Sequence, residues 1–437
     1  MKITPKMYRA ISVIALPLAS LYLMWRSRRQ PEYRQFWDER FAWSSFPLKT
    51  NRPRVWIHAV SVGETNAAKP LLAAILERWP ECDVLLTHMT PTGRSAGRDL
   101  VAMAPERIVQ SYLPYDAPYA VRKFFRQTKP TLGIIMETEV WPNLMSEANA
   151  AGIPMVLANA RESEKSREKA ARVIDLMKPA FESFAAVLAQ SEEDKERFES
   201  LGARNVLVCG SVKFDIRPNL SQVAAARDWK SRLSRPVALI ASTRAGEEVR
   251  FAQALKSRVA LRGRVLTVVV PRHPERFDTV ASLLMDAGLK VMRRSQIRDV
   301  TDIPTDCDVL LGDSMGEMSF YCALSDMVAM GGSFEPFGCQ NVIEPALAGS
   351  PVVVGPSTYN FDKIVRDGRR AGAMLQVETP EAALDAFEHW LNEPLERVKA
   401  SEAALAFATE YAGATERMMD VLEGLWNKAQ KNVLSMS

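Results

Sequence analysis

Short apolar runs without polar alternation, each followed by a helical pattern, recur along nearly the whole chain, and no other feature restricts the fold as much. In the first half they fall at Val55–Val60, Asp83–His88, Ile108–Tyr112, Leu132–Met136, Met155–Ala158 and Ala186–Ala189. A second series follows at Val237–Ala241, Val265–Val270, Lys290–Met292, Val309–Leu311, Met327–Met330 and Val352–Val354. Runs apolar on both faces are buried parallel strands, and their alternation with helices makes βα units. At 437 residues the chain is too long for one core. The expected fold class is therefore α/β: two Rossmann-like doubly wound domains facing a cleft, with ligands at the carboxyl ends of the strands. The connector falls at Lys213–Asn219, where Pro218 disfavours helix at Arg217. This predicts domains at 31–215 and 216–437, with helical patterns from Pro380 onward as closing elements and their return to the first domain left open.

Residues 1–30 read differently. Ala10 to Trp25 is uncharged and mostly apolar, with Lys2, Lys6 and Arg9 before it and Arg26, Arg28, Arg29 and Arg34 after it. As a helix these roughly 16 residues reach about 24 Å, short of the roughly 30 Å of a bilayer's hydrocarbon core, and Pro17 interrupts them. No small-x-small cleavage site precedes the arginines, so a membrane anchor is expected rather than a cleaved signal. The arginines that follow keep the next domain on the cytoplasmic side.

Composition narrows the partners. The formal net charge is +4 and charged residues make up 25%; a nucleic-acid binder carries a more basic, clustered surface, so no nucleic-acid partner is expected. Five cysteines without a C-x-x-C pair and four scattered histidines give neither a disulfide framework nor a zinc site. No metal and no cofactor are expected.

The loops after the strands carry the candidate chemistry. Val55–Val60 runs into Ser61-Val62-Gly63-Glu64-Thr65, placing the Glu64 carboxylate at a strand-to-helix turn, where it could serve catalysis or complement the helix dipole. Thr92, Gly93 and Arg94 open the helix after the second strand, an arrangement suited to an anion. Glu137 and Glu139 end the fourth strand. In the second half, Arg272 and His273 close a valine strand, and an arginine there suits phosphate. Gly312, Ser314 and Gly316 offer donors at what reads as a helix start, or Asp313 and Ser314 simply cap it. Gly331-Gly332-Ser333, Asn341 and Glu344 follow, and glycines there admit a nucleotide closely.

These segments carry a resemblance. W-I-H-A-V-S-V-G-E at 56–64, T-P-T-G at 90–93, Y-L-P-Y-D at 112–116, M-E-T-E-V-W-P-N at 136–143, Q-S-E-E-D at 190–194, P-R-H-P-E-R-F at 271–277, and G-G-S with N-x-x-E-P-A at 331–346 resemble the Kdo transferases of lipopolysaccharide synthesis. These are membrane-tethered GT-B glycosyltransferases that move 3-deoxy-D-manno-octulosonic acid (Kdo) from CMP-Kdo to a lipid A precursor. The resemblance spans nearly all of the chain after residue 30. It implies Glu64 as the base that takes the acceptor's proton, Thr92, Gly93, Arg94 and Glu137 on the acceptor side, and Arg272, His273, Gly312, Ser314, Gly316, Gly332, Asn341 and Glu344 around CMP-Kdo. It also implies lipid IVA as acceptor and the cytoplasmic face of the bacterial inner membrane as location. One departure stands out: the family's usual Gly-Gly-His-Asn reads Gly338-Cys339-Gln340-Asn341 here. Two other readings remain open: another GT-B enzyme of nucleotide hexosamines, as transferase or epimerase, and a membrane-tethered two-domain solute-binding protein.

Overall fold

Strand β1 (Arg54–His58) is buried at every position and lies between β2 (Asp83–His88) and β4 (Leu132–Met136), so both its faces and both its edges are covered. That explains why its sequence does not alternate. With β3 (Ile108–Tyr112), β5 (Met155–Ala160), β6 (Ala186–Ala189) and β7 (Val206–Val208) it forms a sheet of order β3-β2-β1-β4-β5-β6-β7, every pairing parallel. The computed structural model describes residues 4–46, 48, 50, 52–215, 218–258 and 261–436, with side chains through Lys431. Lys2 of the basic flank, and Ile216 and Arg217 of the expected connector, lie outside the described residues.

A second sheet repeats the plan. It is built from β8 (Val237–Thr243), β9 (Leu266–Pro271), β10 (Val291–Arg293), β11 (Val309–Leu311), β12 (Met327–Met330), β13 (Val352–Val354) and β14 (Met374–Gln376), in the order β10-β11-β9-β8-β12-β13-β14, again all parallel. In each sheet the chain first fills one side of its first strand and then crosses to the other, with β11 in the second sheet inserted between β9 and β10. The crossing leaves a crevice beside that strand, between β1 and β4 in one sheet and between β8 and β12 in the other. In open α/β sheets this is where ligands bind.

The chain divides into Met1–Asp215 with Ala412–Ser437, and Ile216–Tyr411. The C-terminal helix Ala414–Met436 thus packs in the first unit, whereas the sequence reading put all of 216–437 in the second. Met418, Met419, Leu422 and Trp426 enter the core on one face of the first sheet, and Trp426 stacks on Trp79 with ring centroids 4.6 Å apart. The Asp215 carboxylate accepts from the backbone N–H groups of Gly413 (2.6 Å), Ala414 (3.1 Å) and Thr415, capping the helix where the chain re-enters.

The N-terminal apolar run forms two helices, Pro5–Ile14 and Leu16–Arg26, bent by 51° at their junction. Pro17 supplies no N–H to continue the first helix and crowds the turn before it. Among the described residues no single helix is long and apolar enough to cross a membrane. The pair docks on the first unit: the Tyr8 hydroxyl donates to Asp116 at 3.0 Å, Arg9 pairs with Glu147 at 2.7 Å, and Leu23 is buried with Tyr33 and Phe41.

Candidate functional site

At the β1/β4 crevice, the turn after β1 brings Glu64 into the third position of the helix Val62–Arg78. Its side chain folds back over the turn and accepts from the Val60 N–H at 2.7 Å and the Ser61 hydroxyl at 3.2 Å. Burial, with Glu64 only 9% exposed, disfavours the charged form. The negative charges of Glu139 and Glu137 push the same way, the two hydrogen bonds push back, and the carboxyl ends up at about 7. A carboxyl that gains and loses a proton near neutrality, on the carboxyl edge of the sheet, has the properties of a general base. A solvated helix-dipole carboxylate would not be raised in this way.

Across the crevice, Glu137 follows β4 in the left-handed region at φ 62°, which a side chain other than glycine's adopts at some cost. It is held there by its N–H to Ala158 O (2.9 Å) and by Arg161 N–H to its own carbonyl (3.2 Å). Burial also raises Glu139. The first unit therefore sets three carboxyl groups, Glu64, Glu137 and Glu139, on the loops that flank its switch point.

Of the other residues expected on the acceptor side, Gly93 and Arg94 are engaged internally. Thr90 caps the helix Pro91–Val101 and takes the Gly93 N–H at 3.0 Å, so that donor is not free. A Cβ on Gly93 would come 2.8 Å from Val60 O; the glycine is needed so that the loops after β1 and β2 can touch. Arg94 is no free cation: it makes a two-pronged pair with Glu39 and lies over the Phe36 ring. Thr92 is exposed on the first helical turn.

In the second unit Arg272 is exposed at the end of β9, and its N–H donates to Thr243 O at 3.0 Å. His273 Nε2 lies 3.0 Å from Arg244 Nη1; since a guanidinium only donates, the imidazole accepts there and carries its proton on Nδ1. The expected helix start after Gly312 is not found. The helix begins at Met318, and Glu317, not Asp313 or Ser314, precedes it. Asp313 instead accepts from Ser295, and Ser314 bonds Glu317 and the Tyr321 hydroxyl. A Cβ on Gly312 would meet Val270 at 2.8 Å and the Tyr321 ring at 2.9 Å, so packing explains that glycine. Gly316, at φ 78°, has open space around it and accepts from Gln222 at 2.8 Å.

Gly332 (φ 71°) is tied to the segment that leads into Asn341 and Glu344. The segment 338–341 folds back so that Cys339 N–H reaches Gly332 O at 2.8 Å and Gln340 N–H reaches Gly331 O at 3.1 Å. The Asn341 side chain accepts from Ile343 N–H at 3.0 Å. Glu344, raised by burial, accepts from Ser319 at 2.8 Å.

Two residues of consequence escaped the sequence reading. Glu39 is hidden before the first strand, where nothing marks it as the partner of Arg94. Glu247 was legible in principle. It stands in Gly246-Glu247 after the first strand of the second sheet, as Gly63-Glu64 stands after the first strand of the first.

The sequence pattern of the 3-deoxy-D-manno-octulosonic-acid transferase (kdotransferase) family matches residues 35–216, and that of glycosyl transferases group 1 matches 290–407. The 3-deoxy-D-manno-octulosonic acid transferase of Bordetella pertussis is 42% identical over 429 residues, covering 95% of this chain and 99% of the relative. The protein of that name from Haemophilus influenzae is 32% identical over 424 residues, covering 95% and 97%. Among solved structures, the UDP-GlcNAc 2-epimerase of Neisseria meningitidis bound to UDP-GlcNAc superposes with a TM-score of 0.55 over 85% of this chain and all of its own. At 14% identity that likeness speaks for the fold alone.

Proposed function

The chain belongs to the 3-deoxy-D-manno-octulosonic-acid transferase family, and from that premise we infer how its residues divide the work of moving Kdo from CMP-Kdo to a lipid A precursor. It is a glycosyltransferase with a CMP-Kdo donor and a glycolipid acceptor. Glu64 takes the proton from the acceptor hydroxyl as its oxygen bonds to the anomeric carbon of Kdo. The bond from that carbon to the phosphate oxygen breaks on the opposite face, its electron pair leaves with CMP, and the configuration inverts. The observation that carries this reading is the Glu64 carboxyl at the β1/β4 crevice, poised at about 7. The second unit holds the donor, with Arg272 meeting the phosphate and Gly332, Asn341 and Glu344 meeting the nucleoside. Arg272 is exposed at a strand end and forms no ion pair among the described residues, so its charge is available. Incubating the protein with CMP-Kdo and lipid IVA and weighing the lipid by mass spectrometry tests the whole reading; no mass gain of a Kdo unit defeats it.

Two further outcomes are expected. Arg272→Ala should raise the KM for CMP-Kdo by about ten-fold to a hundred-fold, in line with the loss of one charge-assisted phosphate contact. EDTA should leave the rate of the purified enzyme unchanged. Rescue of a chelator-treated sample by Mg²⁺ would contradict the second.

The bent N-terminal helices are read as the membrane tether, lying in the cytoplasmic face of the inner membrane with their apolar side in the lipid. Support comes from Ile14, Leu18 and Leu21, which are 75%, 65% and 56% exposed, and from the arginines that follow. Because the pair also docks on the first unit, deleting 1–30 would confuse anchoring with folding. The triple variant Ile14→Asp, Leu18→Asp, Leu21→Asp touches only exposed positions. It should leave the membrane fraction while keeping activity toward detergent-dispersed acceptor. Retention in the membrane pellet would count against the tether.

A further inference from the structure

In the second unit the first strand and the switch-point strand, β8 and β12, lie side by side, and their carboxyl-end loops are packed backbone on backbone. A Cβ on Gly331 would sit 2.5 Å from Ser242 O and 2.7 Å from Ala241 O. Such close packing turns backbone N–H groups away from water and leaves them in need of acceptors. One side chain supplies them. Glu247, 0% exposed, accepts from Gly332 N–H (2.8 Å) and Arg244 N–H (2.8 Å) through Oε2, and from Phe334 N–H (3.0 Å) through Oε1. It thereby ties the loop after β8 to the loop after β12.

The tie is passed on. Gly331 and Gly332 present their carbonyls to Gln340 and Cys339, which sets the segment leading to Asn341 and Glu344. On the other side, the Ser333 hydroxyl accepts from Gly355 N–H at 2.7 Å and its carbonyl from Ser357 N–H at 2.9 Å, joining the loop after β13 to the same knot. We propose that Glu247 is the positioning residue of the donor site: it fixes the 331–334 loop, and through it Asn341 and Glu344, in the shape that receives the nucleotide. This deepens the reading of the second unit as the CMP-Kdo site and rests on it. Glu64 and Glu247 follow the first strands of their sheets in the same Gly-Glu setting, with different tasks. The first keeps two hydrogen bonds and an exchangeable proton; the second has its oxygens taken up by buried N–H groups.

Glu247→Gln tests the proposal with little change of volume. An amide has one acceptor oxygen. If that oxygen takes the Oε2 place, Phe334 N–H faces an NH₂ group; in the other orientation Gly332 and Arg244 N–H do, so at least one buried donor is left opposed. The expected result is a KM for CMP-Kdo and a calorimetric Kd for CMP raised about ten-fold or more, with kcat at saturating donor within about three-fold and the acceptor KM unchanged. General damage to the fold would lower kcat and move both KM values. Unaltered CMP affinity, or a fall in kcat at unchanged donor KM, overturns the proposal. Should Glu247→Gln fail to fold, Glu247→Asp decides: it keeps the carboxylate but is one methylene too short to hold both loops, and the donor-only signature supports the proposal whereas wild-type CMP affinity overturns it. Wild-type protein that transfers Kdo but does not bind CMP measurably would instead overturn the placement of the donor site, a result distinct from an unaffected variant.

Discussion

Glu64→Gln should lose about 10²- to 10⁴-fold in kcat, the usual cost of removing a general base, while its Kd for CMP stays at the wild-type value. The amide is close in size and can still accept from Val60 N–H, so the turn after β1 survives, but it cannot take a proton. The wild-type pH profile should show the same group. Transfer needs the carboxylate, so kcat/KM should rise with pH, level off above about 7 and fall tenfold per unit below it. Stability should run the opposite way. An acid whose folded value lies above its unfolded one supports the fold fully below the unfolded value of about 4.5, and this support is lost as pH rises through about 7. Glu64→Gln carries no such burden and should melt higher than wild type at pH 8 by the equivalent of about 1–3 kcal/mol, with the difference vanishing near pH 4. Near-normal turnover would remove Glu64 from the reaction, and equal melting at both pH values would show that its burial costs nothing.

The legible and illegible parts of this chain separate on physical lines. The central strands could be read because burial on both faces leaves no polar alternation, and β1, β2, β4, β9 and β12 have that character. β7 and β14 were missed: each is a three-residue strand at the edge of its sheet with Leu207 or Leu375 exposed, so nothing local sets Val206–Val208 or Met374–Gln376 apart from a surface loop. Glu64 was legible because strand, glycine and acid fall in one short stretch. Arg94 looked like an anion site from its place after Thr-Pro-Thr-Gly, yet its partner Glu39 lies 55 positions earlier, and no local pattern reveals such a pairing. The Gly312 segment misled for a related reason. Its glycine answers to Val270 and Tyr321 in space, and the helix waits until Met318 because Asp313 and Ser314 are drawn to Ser295, Glu317 and Tyr321.

The C-terminal helix shows the same limit on the largest scale, and ending the chain at Tyr411 should damage the first unit rather than the second. By sequence, residues 412–437 continue the second half. In the fold, Met418, Met419, Leu422 and Trp426 are buried among Leu71, Ile75, Trp79 and Cys82 of the first unit. Removing four large buried side chains at about 1.5–3 kcal/mol each withdraws about 6–12 kcal/mol, comparable to the whole stability of a typical domain. The Asp215 carboxylate would also lose the N–H groups of Gly413, Ala414 and Thr415 that it now caps. The truncated protein should therefore show fast hydrogen exchange throughout β1–β7 and no Kdo transfer. β8–β14 should stay protected and CMP should still bind, since the Glu247 knot and Arg272 lie wholly within Ile216–Tyr411. Slow exchange in β1–β7 after truncation would show that the helix is an appendage, and loss of protection confined to β8–β14 would return it to the second domain, where the order of the sequence had put it.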